Sequence, residues 1–570
     1  MPKDKTAGSS LINSAMILVT ATVIVKVIGA IYKIPLTSII GGVGRGYFST
    51  AYNIYTPIYA ISMAGLPTAV SKMVSEHMAL ENYGTVQSIK RVAVKLFCLT
   101  GILGTIVLIA TAYPYGKFVA GTIGVVPCII TIAPSIFFCC LMSAYRGYYE
   151  GQQNMKPTAI SQVIEAVSKL VFGLALSYWF LNYCLNEFHT SGTVFGKAAE
   201  SLEQAMSMIY PYSAAVSVLG VSIGTIFGCF YMFFVRPKNS RLIQKEPSTL
   251  TDRQIVKLMV TIAVPVVAGS LIQNISNLID TAMIQSRLEH AIAVDGYSLI
   301  QKMYAQSFAI SGTVAEDVKT YLFGVYNSAL DFKNLIPTVT LAIGISALPT
   351  MSRAWTLGNS AQVENILNNA VKFSMIIGLP IGFGMAAVPD QLLYLVYGGS
   401  NPDIIPIASS IVRSYGASMI LFAASGPLIS MLQAIGRADV TIQSMAAGAV
   451  VKIILNYILI GNPAYNIKGA PVSTICCYVI IVLWNLFALL RESKVRLDVV
   501  SCVIKPLVAG LACGASAFFG YDFAVRWMSQ NLATVVSVSA AALIYLILLF
   551  SLSIITKNDI KFLYKSEKKA

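Results

Sequence analysis

Lys26, Lys169, Lys333 and Lys452 each lie inside an apolar run long enough to cross a bilayer. An ammonium at the centre of a membrane helix costs roughly 2.5–3.5 kcal/mol on insertion scales. Such a residue persists where it faces a protein interior, a partner charge or a water-filled passage. Cations inside a helical bundle suit the passage of something anionic. Their neighbours refine this. Lys33 follows Lys26 by two helical turns, so it either shares that face or snorkels to the interface. Glu165 and Lys169 are spaced i, i+4 in the favourable order, which predicts a structural, self-neutralising pair. Asp331 and Lys333 stand about 200° apart around a helix, which lets Lys333 face a cavity unless this stretch ends an outer loop. Lys452 and Asn456 share a face, and Asp280 is the candidate partner of Lys452, as an ion- or proton-sensitive latch or as fixed structure. The connections Tyr145–Gln152 and Gln433–Asp439 suit a gate with Arg146–Glu150 or Arg437–Asp439 contacts, or else ordinary inner turns.

The elements that carry these residues follow from composition. The 570 residues are 56% hydrophobic and 11% charged, with mean hydropathy +0.71. A soluble chain carries about 25% charged residues, so this is an integral membrane protein. Recurrent runs of about 20 apolar residues predict helices rather than a barrel. The net charge of +15 is read as cationic loops facing anionic membrane lipids, not as nucleic-acid binding. The ten cysteines show neither metal-ligand spacing nor a disulfide framework. The histidines lie in or beside polar connections, so no metal or cofactor is expected. The first apolar run lacks a small-residue cleavage site and is read as a retained helix.

About 14 spans are expected by apolar length. They fall near 11–32, 50–72, 92–113, 124–145, 157–182, 207–235, 257–284 and 321–351, then 367–389, 404–427, 441–461, 467–490, 499–520 and 532–555. Lysines and arginines concentrate in alternate loops and in the tail, which places both termini in the cytoplasm. An internal repeat is visible. Leu66-Pro-Thr-Ala-Val-Ser-Lys72 resembles Leu348-Pro-Thr-Met-Ser-Arg353. The offsets are 282 between Pro67 and Pro349 (349 − 67) and 283 between Lys169 and Lys452 (452 − 169). The reading is an all-α polytopic membrane protein with two pseudo-symmetric six-helix lobes and two further C-terminal helices. The lobes are 1–235 and 257–490, joined by a cytoplasmic linker at 236–256. Residues 491–570 hold spans 13 and 14 and a basic cytoplasmic tail.

Several segments carry a family resemblance: Lys26-Val-Ile-Gly, Ala64-Gly-Leu-Pro-Thr-Ala-Val-Ser-Lys72, Arg146-Gly-Tyr-Tyr-Glu-Gly-Gln, Asn277-Leu-Ile-Asp-Thr281, Lys452-Ile-Ile-Leu-Asn456 and Gly469-Ala-Pro-Val-Ser-Thr474. With these the chain resembles the oligosaccharide flippases of the multidrug/oligosaccharidyl-lipid/polysaccharide superfamily. Within them it is similar to the stage V sporulation protein B group, relatives of the MurJ-type lipid II flippases. The resemblance implies no enzyme but alternating access in a bacterial plasma membrane, with a central cationic cavity taking a polyprenyl-pyrophosphate-linked saccharide. It also implies cell-wall synthesis proteins as partners. Lys26 matches a cavity arginine of the family pattern; Lys33 and Lys333 match others with a one-residue shift. A second-helix arginine has no counterpart among Tyr55–Ala64. The family's sodium site is similar to Asp280, Asn456 and Thr474, with Lys452 at one ligand position, where an ammonium would repel sodium. The rival readings are a cation-coupled multidrug exporter of the same superfamily, a membrane glycan polymerase and a non-transporting scaffold. The exporter favours cavity carboxylates, whereas this chain supplies lysines. The segment 285–320 carries no recognisable catalytic motif for a polymerase.

Overall fold

The computed structural model describes residues 4–63, 65–235, 247–295 and 298–555, and these fold almost wholly as helices. The basic stretches 236–246 and 556–570 lie outside the described residues, as do the side chains of Pro265, Pro337 and Pro349. A two-residue hairpin, Thr193–Val194 with Lys197–Ala198, is the only sheet among the described residues. The all-α polytopic class expected from composition is the one observed. Among the described residues, 10 helices are long and apolar enough to span a membrane, or 11 if the bent pair Pro402–Ala417 and Met419–Ala434 is one span.

The difference from 14 has physical sources. Thr20–Ala79 takes in the first two expected spans. Its 60 residues would rise about 90 Å as one helix, against roughly 30 Å of hydrocarbon. The helix Asp4–Met63 kinks inside this stretch at Gly41, where φ is +67°. The spans expected at 257–284 and 321–351 fall on Asp252–Asp295 and on Val318–Lys333 with Leu335–Thr356. Many side chains of those helices lie outside the described residues.

The chain forms two compact units: Met1–Ser286 with Gly312–Gly324, and Arg287–Ser311 with Val325–Ala570. In the first unit, Lys156–Ser191 packs along Leu202–Phe234, and both pack on Asp4–Met63. Gly220, Gly224 and Gly228 recur every fourth residue on Leu202–Phe234, the small-residue spacing that lets membrane helices meet at their backbones. In the second unit, Ser360–Ala387 packs on Met419–Ala434 around Leu367, Met375, Leu428 and Met431. Lys505–Ala524 and Gln530–Ser551 pack together, and Tyr545 OH donates to the Ile376 carbonyl at 2.7 Å.

The segment Gly312–Gly324 belongs to the first unit although its chain neighbours on both sides belong to the second. Backbone approach explains the attachment. A Cβ on Gly46 would lie 2.1 Å from the Thr320 carbonyl oxygen, and one on Gly324 would lie 1.9 Å from that of Gly42. Asp317 is buried here, its carboxylate accepting from Ser207 Oγ at 2.5 Å and Tyr47 OH at 3.5 Å. Burial holds Asp317 above the usual carboxylate range, with Glu316 adding to the rise and the Ser207 and Tyr47 donors opposing it. The folded protein therefore binds this proton more tightly than the unfolded chain. Its contribution is present below the ordinary value of about 3.9 and is lost as pH rises through the raised folded value. Asp317→Asn is expected to remove that part of the pH dependence. Unfolding midpoints measured across this window for both proteins test it; parallel pH profiles would refute the assignment.

Candidate functional site

In the first unit, Ser161, Glu165 and Lys169 recur every fourth residue and so share one face of Lys156–Ser191. The glycine crossing brings that face close to its neighbours: a Cβ on Gly224 would lie 2.6 Å from the Glu165 carbonyl oxygen and 3.3 Å from Lys169 N. Arg146, on Pro134–Gly151, donates Nε to Ser161 Oγ at 2.9 Å and Nη2 to Glu165 Oε2 at 3.2 Å. This corrects two expectations. Glu165 pairs with Arg146 rather than with Lys169, and Arg146 pairs with Glu165 rather than with Glu150. A planar guanidinium from a facing helix reaches the carboxylate and the hydroxyl together, which one lysine on the same helix does not. Glu150 is half-buried, one turn beyond Arg146.

Lys169 turns instead to aromatic groups. Its Nζ donates to Tyr52 OH at 3.0 Å and lies 5.1 Å and 5.2 Å from the ring centres of Tyr32 and Tyr52. Tyr32 is itself fixed by donating its hydroxyl to the Ser217 carbonyl at 3.1 Å. Tyr52 belongs to a ladder: Phe48–Tyr52 centroids are 4.8 Å apart, Tyr52–Tyr55 5.7 Å and Tyr55–Tyr59 5.4 Å. Arg45 is buried and stands 5.5 Å over the Phe48 ring. Lys26 joins none of this; it is exposed beside Val27, whereas Lys33 is half-buried.

The second unit presents Lys333 in a similar way. The ammonium lies 5.2 Å from the Tyr415 ring centre, 5.0 Å from Phe422 and 5.6 Å from Tyr478. The 52° bend between Pro402–Ala417 and Met419–Ala434 separates Tyr415 from Phe422, whose ring centres stand 6.0 Å apart. Tyr326 and Tyr415 share a hydroxyl–hydroxyl hydrogen bond of 3.2 Å. Each cation–aromatic contact of this kind contributes about 0.5–2 kcal/mol.

The remaining expected residues lie on helices of both units. Asp280 is half-buried on Asp252–Asp295 in the first unit. Lys452 is half-buried and Asn456 fully buried on Ala438–Ile460 in the second. Asn456 Oδ1 accepts from Ser473 Oγ, which ties two helices together, whereas Thr474 Oγ1 donates to the Ala470 carbonyl of its own helix at 3.0 Å. At the turn before Ala438–Ile460, Arg437 pairs with Asp439 at 3.1 Å and with Glu492. Among the described residues no cluster of three or more His, Cys, Asp or Glu side chains is placed to hold a metal.

Arg45, Tyr32 and the aromatic groups around both lysines were not anticipated. The 4-3-4 spacing of Phe48, Tyr52, Tyr55 and Tyr59 is the sequence signal for the ladder. Nothing comparable marks Tyr415, Phe422 and Tyr478, which come from three separate helices.

Comparison with known proteins places this arrangement. The model of the family described as "Polysaccharide biosynthesis protein" matches residues 11–355, and that of the MatE family matches 307–458. The chain is 24% identical over 507 residues to the lipid II flippase MurJ of Bacillus subtilis, covering 85% of this chain and 84% of that one. It is 23% identical over 565 residues to stage V sporulation protein B of the same organism, covering 97% and 98%. Among solved structures, a lipid II flippase MurJ in an inward closed conformation superimposes with a TM-score of 0.60 at 15% identity, covering 94% of this chain and 98% of the other. The MurJ relatives are named as lipid II flippases, which are transport proteins and not enzymes.

Proposed function

We propose that this chain, which belongs to the polysaccharide biosynthesis protein family, is a flippase for a lipid-linked, pyrophosphate-containing cell-wall precursor. Lipid II or a related oligosaccharide-lipid is the cargo, carried from the inner to the outer leaflet by alternating access through a cationic passage. The observation that carries the reading is the Lys333 ammonium held on three aromatic faces in a membrane bundle. Aromatic faces hold a cation in a fixed orientation. In a low-dielectric passage that charge attracts a pyrophosphate strongly. The similarity to a lipid II flippase supports the same cargo class. An exporter of cationic drugs would need the opposite charge at such a place.

Complementation tests it, in cells depleted of their own lipid II flippase. Wild type is expected to restore growth; Lys26→Ala and Lys333→Ala are expected to fail at equal membrane expression. No rescue by well-expressed wild type would remove wall precursors as cargo. Rescue by all three would keep the function and reject these lysines as binding residues.

A further inference from the structure

Two helices of the first unit carry a record of where the bilayer ends. Along Lys156–Ser191, exposed Val167 and Val171 give way to Tyr178, Trp179 and Tyr183, and these to Asn186 and Thr190. Aliphatic, then aromatic, then polar is the order of a helix that leaves hydrocarbon through the headgroup layer into water. On Leu202–Phe234 the exposed Tyr212 plays the aromatic part, with exposed Glu203 and Gln204 beyond it. Exposed Phe234 stands 22 residues further on (234 − 212), about 33 Å along the helix. Hydrocarbon is roughly 30 Å thick.

Beyond Ser191 the chain turns back toward this aromatic layer. Gly192, at φ +67°, ends the helix. The hairpin of Thr193–Val194 with Lys197–Ala198 follows. Its tip, Phe195, has its ring centre 6.2 Å from that of Phe180 on one helix and 5.0 Å from that of Tyr212 on the other. Buried Val194 packs with Cys184, Ala205 and Ile209, and Glu187 Oε1 accepts from Gly196 N at 3.1 Å, so the return is fixed. Phe195 and Gly196 have φ of +54° and +73°. Two left-handed residues make a hairpin turn that favours Asn-Gly. Phenylalanine is strained in that conformation, and its ring is still 43% exposed. In water the tip would combine backbone strain with a wet aromatic ring. In the headgroup layer the exposed half of the ring meets lipid.

We propose that the Thr193–Ala198 hairpin is a membrane-surface element: Phe195, together with Tyr178, Trp179, Tyr183 and Tyr212, binds the lipid headgroup layer and sets the depth of both helices. The partner is the bilayer surface itself. The inference goes beyond the flippase reading and does not depend on the cargo.

The test is fluorescence quenching of the full-length protein in nanodiscs whose lipids carry bromine either next to the headgroup or near the acyl-chain ends. Phe195→Trp and Glu200→Trp are each made on a background of Trp179→Phe, Trp355→Phe, Trp484→Phe and Trp527→Phe. Glu200 is exposed and precedes Leu202, which lies ten residues (212 − 202) or about 15 Å of helix before Tyr212. Headgroup-proximal bromine is expected to quench Phe195→Trp about twofold or more above Glu200→Trp, as for an aromatic ring at headgroup level. It is also expected to quench Phe195→Trp more than chain-end bromine does. Unquenched, red-shifted emission from Phe195→Trp would put the tip in water and overturn the proposal. Unquenched but blue-shifted emission would put it under protein, and stronger quenching by chain-end bromine would put it in hydrocarbon; each overturns it too. If the background lowers the unfolding midpoint, single variants decide. Phe195→Cys is then expected to react more slowly than Glu200→Cys with a membrane-impermeant maleimide in nanodiscs, the ten native cysteines all being buried or half-buried. Equal rates would overturn the proposal.

Discussion

Gly220→Val is expected to lower the unfolding midpoint sharply and to abolish rescue in complementation. A Cβ at position 220 would lie 2.4 Å from Gly173 Cα and 2.6 Å from Gly173 N. Both obstacles are backbone, so no side-chain rotation relieves them. The helices Lys156–Ser191 and Leu202–Phe234 would have to separate, at about 3 kcal/mol or more for overpacking of this severity. The same separation would carry Glu165 away from Arg146 and Lys169 away from Tyr52. Gly384→Ala is the control, since a Cβ there meets nothing within 4 Å. Thermal unfolding of the purified proteins reads both. A midpoint for Gly220→Val equal to that of the control would show that the helices do not meet at this glycine.

Arg146→Ala is the second large effect. It would leave Glu165 without its guanidinium in a site where the two side chains are only 15% and 30% exposed. Surface pairs contribute under about 1 kcal/mol, and breaking a buried pair costs about 3–5 kcal/mol. Partial burial places this loss near about 2 kcal/mol, between those limits. Most of it should return in the double variant Arg146→Ala with Glu165→Gln, because the carboxylate no longer carries an unmatched charge. A double-mutant cycle on unfolding free energy measures the coupling. Stronger coupling is expected between Arg146 and Glu165, which are in direct contact, than between Glu165 and Lys169. The opposite ranking would restore the same-helix pair and refute the pairing described above.

The two predictions divide along a line that runs through the whole molecule. Composition and recurrent apolar runs determine a multi-pass helical membrane protein, because hydrocarbon admits only structures whose backbone groups are satisfied internally. Lipid penalises lysines in the middle of those runs, which marks Lys169 and Lys333 as cations with interior partners, whereas Lys26 is exposed. The family segments are equally legible, and those at 26–29, 64–72, 146–152 and 277–281 lie within the family match over residues 11–355. Spacing along one helix goes no further than that helix. It offered Glu165 to Lys169 and Arg146 to Glu150, whereas the shorter contact comes from a neighbouring helix. Lys169 finds Tyr52 across 117 residues of chain, and Lys333 finds Tyr415, Phe422 and Tyr478 across a bend and a helix boundary. Which aromatic face meets which ammonium depends on where helices cross. That is set by backbone contact at glycines such as Gly220 and Gly224, a property of two surfaces together that no periodicity within either one contains.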